Sequence, residues 1–118
     1  MSAADPDPTD LLPLTPVSFE ILLALSDEAR HGYAIMRAVE ERTRGATSLH
    51  AGSLYRALAR LVDAALIAEV AQDAEAAGDD RRRTYGLTAL GRRVAAAEAR
   101  RLEDQVGAAR AHGLLRGA

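Results

Sequence analysis

Every strongly basic residue in this 118-residue chain is an arginine, and the spacing of these arginines shows what chemistry the chain can do. Arg56 and Arg60 stand four residues apart, and Arg81, Arg82 and Arg83 form an uninterrupted run. A guanidinium presents a planar fork of donors that fits phosphate oxygens and the acceptor edge of a purine. The net charge is −2, which on its face argues against a polyanionic partner. Its distribution argues otherwise. Residues 1–29 and 61–80 contain acids and no base, whereas 30–60 and 81–118 are dominated by arginine. Basic charge gathered in blocks is what a nucleic-acid surface requires, whatever the total.

Other chemistries lack their parts. There is no cysteine, so disulfides and thiolate metal sites are excluded, and His31, His50 and His112 are too scattered to form a metal site. No Ser/His/Asp set falls at a recognisable spacing and no glycine-rich phosphate loop is present. The expectation is therefore a protein that is not an enzyme and needs no cofactor or metal. No apolar run is long enough to cross a membrane, and the acidic start is unlike a secretory signal, so a cytoplasmic location is expected.

The elements that must position these arginines follow from periodicity. Residues 1–13 combine three prolines with acids and read as a disordered arm. Thr15 followed by Pro16 starts a first helix that runs to about Ser26 and is apolar around most of its circumference, as expected if it meets both its own core and a partner. A second helix spans about His31 to Arg44 and ends at Gly45, with Ile35, Met36 and Val39 inward. A third begins near Ala51 and lines up Leu54, Leu58, Leu61 and Val62, leaving Arg56 and Arg60 on another face. Residues 66–70 and 83–87 read as two paired strands joined by a long acidic loop. Thr88 then caps a helix of about 22 residues or more, whose Ala95, Ala99, Leu102, Val106 and Ala109 form a stripe suited to a helix–helix seam. The fold class is mainly α with a two-stranded β-ribbon. It is a winged helix-turn-helix over 14–88, followed by a long C-terminal dimerisation helix over 89–118.

At the level of residues the chain resembles the PadR family of transcriptional regulators in three blocks: HGYAIMRAVEER (31–42), AGSLYRALARLVDAALI (51–67) and RRRTYGLTALGRR (81–93). The resemblance implies a homodimer formed through the first and last helices, with Ile21 and Leu25 joining the last-helix stripe at the seam. It also implies binding of double-stranded DNA, as a repressor on a pseudopalindromic operator. Family DNA contacts map onto Tyr33, Ser53, Tyr55, Arg56, Arg60, Arg81, Arg82 and Arg83. Each has a plainer alternative. Tyr55 and Tyr33 either sit at the core margin or donate to phosphate, with phosphate favoured for Tyr55 and packing for Tyr33. Ser53 is either a first-turn helix residue or a hydroxyl in reach of the groove. The arginines are either solvated surface charge or DNA ligands: the shared face opposite the core stripe favours DNA for Arg56 and Arg60, and like charges held side by side on a ribbon favour it for Arg81, Arg82 and Arg83.

Some positions depart from the family pattern. His50 and Ala51 replace a better cap and a proline, and Ala65 replaces a helix-ending glycine, costing about 1 kcal/mol if the backbone there is left-handed. Thr84 replaces a common aromatic, and Asp73, Glu75, Asp79 and Asp80 place acid at the wing tip. Some family members sense small molecules between subunits, but with no tryptophan and one phenylalanine this chain supplies little of an aromatic clamp. The alternative reading is a winged-helix module that binds another protein through its acidic segments.

Overall fold

The computed structural model of the chain describes residues 7–70 and 83–116. The first long element starts where a threonine and a proline meet. The Thr15 hydroxyl accepts the Ser18 N–H at 3.1 Å, and Pro16 occupies the first turn of α1 (Pro16–Ala24). Both satisfy the start of a helix, the threonine by capping an orphan donor and the proline by having none. At the other end the Arg30 Nε donates to the Ala24 carbonyl at 2.7 Å, so a side chain six residues on closes the helix.

Two residues of strand follow, β1 (Arg30–His31), and run directly into α2 (Gly32–Thr43). Arg44 and Gly45 take positive φ (54° and 81°), and the Gly45 N–H returns to the Glu40 carbonyl at 2.9 Å, ending the helix as the glycine foretold. The Thr43 hydroxyl donates to the Val39 carbonyl and accepts the Thr47 N–H, which fixes the turn leading to α3 (Ala51–Asp63). His50 precedes α3 without a side-chain cap. Beyond it Ala65 is left-handed (φ 64°), the strained conformation the sequence raised for a non-glycine residue. Strands β2 (Ile67–Val70) and β3 (Thr84–Leu87) pair antiparallel, Glu69 opposite Tyr85, and α4 (Ala89–Ala111) completes the chain under a cap from Thr88.

One core joins these elements. Ile21 and Leu22 of α1, with Leu25 just after it, meet Ile35 and Val39 of α2, Leu54, Leu58 and Leu61 of α3, and Ile67, Tyr85 and Val94. Positions 54, 58 and 61 repeat at helical spacing, which gives α3 one buried stripe and leaves the opposite side to solvent.

The structure corrects the sequence reading at four points. The sheet has three strands, in the order β1-β3-β2, because Arg30 and His31 pair with Tyr85 and Thr84. Val62 is exposed rather than inward, since it lies past the edge of the 54/58/61 stripe. Ile21 (0 % exposed) and Leu25 (2 %) lie in the chain's own core and have no surface to offer a partner. The segment read as a disordered arm forms, from Asp7 on, a 3-10 turn (Pro8–Leu11), and its Leu11 and Leu12, with Leu14 just beyond it, pack against the core. The acidic loop with Asp73, Glu75, Asp79 and Asp80, and the wing arginines Arg81 and Arg82, lie outside the described residues.

Candidate nucleic-acid interface

The outer face of α3 is built by subtraction. With Leu54, Ala57, Leu58 and Leu61 turned inward, Arg56, Ala59 and Arg60 are left exposed. The Arg56 guanidinium lies back over the first turn, its Nη2 at 3.4 Å from the Ser53 hydroxyl, so Ser53 and Arg56 share one polar surface at the N-terminal end of the helix. Neither Arg56 nor Arg60 meets a carboxylate among the described residues. Some arginines elsewhere are paired: Arg37 with Glu41 (3.7 Å), Arg42 with Glu20, Arg83 with Glu69 (3.4 Å) and Arg101 with Glu98 (2.7 Å).

The two tyrosines reverse the burial that the favoured readings imply. Tyr33 is 57 % exposed, and Arg37 lies 5.9 Å from its ring centroid. This contact, with Tyr33 as the larger influence and Glu41 the smaller, pushes the Arg37 guanidinium further above its ordinary range. Tyr55 is half-buried and lies across the start of α2, so a Cβ built on Gly32 would meet its hydroxyl at 2.8 Å and its ring at 3.1 Å. The glycine of the HGY block is thus explained by close approach of an aromatic side chain. Tyr55 also lines a cleft of about 270 Å³ between α3 and the sheet, together with Ala59, Val62, Asp63, Glu69, Arg83 and Tyr85. Burial pushes the Tyr85 phenol up, and Glu69 adds to the effect.

A second surface lies on the far side of the core. Leu14, Pro16, Phe19, Leu23 and Leu102 line a groove of about 390 Å³ between α1 and α4, edged by the Glu20–Arg42 and Glu98–Arg101 pairs. Phe19 and Leu23, not Ile21 and Leu25, are therefore the apolar residues that α1 turns outward. Glu98 is 2 % exposed, and Arg101 holds it with two bonds of 2.7 and 2.8 Å, keeping its carboxyl below the usual range. The sequence reading passed over this pair. Its signal was an acid three residues before an arginine, beside an otherwise apolar stripe. Past Glu98, α4 leaves the core. Ala95, Leu102 and Ala109 are half-buried, whereas Ala99 and Val106 are exposed.

Among the described residues there is no cluster of His, Asp or Glu able to hold a metal, and no helix is long and apolar enough to cross a membrane.

A helix-turn-helix whose second helix shows an arginine face, flanked by a small antiparallel sheet, is the winged-helix DNA-binding fold. The chain matches the Transcriptional regulator PadR-like family over residues 21–97, and it belongs to that family. Solved structures agree. RosR of H. salinarum is 32 % identical, with a TM-score of 0.62 over 83 % of this chain and 79 % of that one. A PadR family transcription regulator from hypervirulent Clostridium difficile has a TM-score of 0.68 at 22 % identity, over 83 % and 98 % of the two chains. A transcriptional regulator from Clostridium thermocellum has a TM-score of 0.65 at 24 % identity, over 75 % and 84 %. Among curated proteins none matches at a significant level.

Proposed function

We propose that this PadR-family protein is a homodimeric repressor that reads a pseudopalindromic operator in double-stranded DNA. The observation that carries the reading is the state of the arginines on α3. Arg56 and Arg60 project together from the exposed face of α3, opposite its buried stripe and with no carboxylate beside them among the described residues. Charges left uncompensated on one helix face are available to phosphate oxygens and guanine edges. Ser53 and the exposed Tyr33 extend this surface, and Arg81, Arg82 and Arg83 would follow the backbone from the wing. The dimer rests on the apolar groove between α1 and α4 and on the projecting half of α4. Both are surfaces on which a second copy, related by a twofold axis, buries Phe19, Leu23, Leu102 and Val106.

Selection from random duplex DNA tests the class and yields the operator together. An inverted repeat with half-sites about one helical turn apart, or a multiple of it, is expected. Titrations at several salt concentrations then separate the roles. Arg60→Ala is expected to cost about 1–3 kcal/mol on the selected site while sparing random duplex. Arg82→Ala is expected to weaken both alike and to flatten the salt slope by about 0.9 for each phosphate that it leaves without a counter-charge. If no substitution changes the slope, the wing does not touch the backbone and the protein-interaction reading gains ground; if selection yields no bound duplex, that reading replaces this one.

A further inference from the structure

Beyond the Thr88 cap and the Ala65 helix end that the sequence marks, two hydrogen bonds from Thr88 converge on one backbone carbonyl where α3 ends and α4 begins. The Leu66 carbonyl follows the left-handed Ala65 that ends α3. It accepts the Thr88 N–H at 3.1 Å and the Thr88 hydroxyl at 3.1 Å. The same hydroxyl reaches the Ala65 carbonyl at 2.6 Å and accepts the Gly91 N–H at 2.9 Å, so one oxygen caps α4 and ties it to the end of α3. Gly91 closes the joint from above. A Cβ there would stand 1.9 Å from the Leu66 oxygen, a backbone atom with no freedom to move aside. On the other flank the Arg92 guanidinium donates to the Ser26 carbonyl at 3.1 Å, holding the same turn of α4 against the end of α1.

We infer that Thr88 and Gly91 are positioning residues that set the distance between the two recognition helices, and hence the half-site spacing the protein accepts. The inference rests on the dimeric DNA-binding reading and deepens it. Its physical basis is a lever. Val106 of the seam stripe lies about 22 Å along the helix axis from Gly91, so a tilt of about 10° at the joint moves it by about 4 Å. That displacement is close to one base step of about 3.4 Å. A loose joint would accept neighbouring spacings, and a fixed one discriminates among them. Neither residue needs to touch DNA.

The test uses the full chain on a set of duplexes carrying the selected half-site in inverted repeats, with the spacer varied one base pair at a time, and a duplex with a single half-site as control. The wild type is expected to prefer one spacing over its neighbours by about 10-fold or more. Thr88→Asp keeps a strong helix cap and the backbone N–H to Leu66 but has no side-chain proton for the Ala65 and Leu66 carbonyls, so it loosens the tie without uncapping α4. It should reduce the spacing preference to about 2-fold with single-half-site affinity unchanged, and Thr88→Ser, which restores the hydroxyl, should recover it. Gly91→Ala leaves cap and hydroxyl in place but forces α4 away from Leu66, so the preferred spacing should move rather than blur. If Thr88→Asp lowers affinity equally at every spacing, or Gly91→Ala leaves the optimum where it was, the joint is only structural and the inference fails while the dimeric reading stands. If the wild type has no spacing preference, or sediments as a monomer, the dimeric reading itself fails and this inference with it.

Discussion

Replacing Val106 by glutamate tests the proposed seam at a place where the protomer has least to lose. Val106 sits on the projecting half of α4 and is 39 % exposed in the single chain, so a charged side chain there leaves the core untouched. Full burial of a valine is worth about 1.5 kcal/mol, so the fraction still exposed contributes about 0.6 kcal/mol per copy, or about 1.2 kcal/mol for the two copies a twofold axis brings in. Val106→Ala, which forfeits much of this, should therefore weaken the dimer by less than about 10-fold. Val106→Glu adds a larger penalty, because two carboxylates lose water at the seam without partners. At about 1–3 kcal/mol each this raises the total to about 3–7 kcal/mol, or 10²–10⁵-fold in dissociation constant. The charge, not the missing methyl groups, decides the result. Sedimentation over a range of concentrations should show the alanine variant as a dimer and the glutamate variant as a monomer with unchanged helicity. Equal dimerisation in wild type, alanine and glutamate forms would refute the argument and place the seam elsewhere.

Further expectations follow from single residues. Ala65 is left-handed at φ 64°, so Ala65→Gly should stabilise the fold by about 1 kcal/mol and raise the melting temperature by a few degrees, and unchanged melting would mean the strain is relieved in solution. Glu98 is held below its ordinary value of 4.5 by Arg101, so its contribution to stability is present above that pH and is lost as pH falls through the lower folded value. Thermal melts at decreasing pH should thus show wild type losing stability that Glu98→Gln does not lose, whereas parallel curves would leave the pair without energetic consequence. Tyr55→Phe removes the hydroxyl nearest Gly32, so the cost of Gly32→Ala should be smaller in the Tyr55→Phe background, and a double-mutant cycle measures the difference.

Much of the architecture was legible because local signals were strong. Thr15-Pro16, Gly45 and Thr88 mark helix ends through hydrogen-bonding requirements that hold whatever surrounds them, and the stripe of Leu54, Leu58 and Leu61 declares one buried side. What escaped was information held only in tertiary packing. A two-residue strand leaves no periodicity, so β1 exists for the sequence reader only once β3 is in place. In α1 the apolar residues surround the axis, and no polar face tells that Ile21 and Leu25 point inward while Phe19 and Leu23 line the outer groove. The tyrosines were legible as a pair of options, but their assignment turned on which flank of α2 meets α3. Prolines and acids before Thr15 outweighed Leu11, Leu12 and Leu14, whose packing against the core depends on surface supplied by distant elements.

The short strand has a consequence for how the wing opens. Because Arg30 and His31 pair with Tyr85 and Thr84, β3 is bonded on both flanks, and the His31 ring nitrogen meets the Thr84 hydroxyl at 3.1 Å. A ribbon of two strands could fray by itself, but here β3 cannot leave without releasing the residues that lead into α2. Amide exchange should accordingly divide by position rather than by strand. Protection at Tyr85 should follow that of the helix-turn-helix, whereas β2, with one flank unpaired, exchanges earlier. β3 and the helix-turn-helix then open as one cooperative unit, so a ligand that steadies β3 also slows proton exchange at the start of α2.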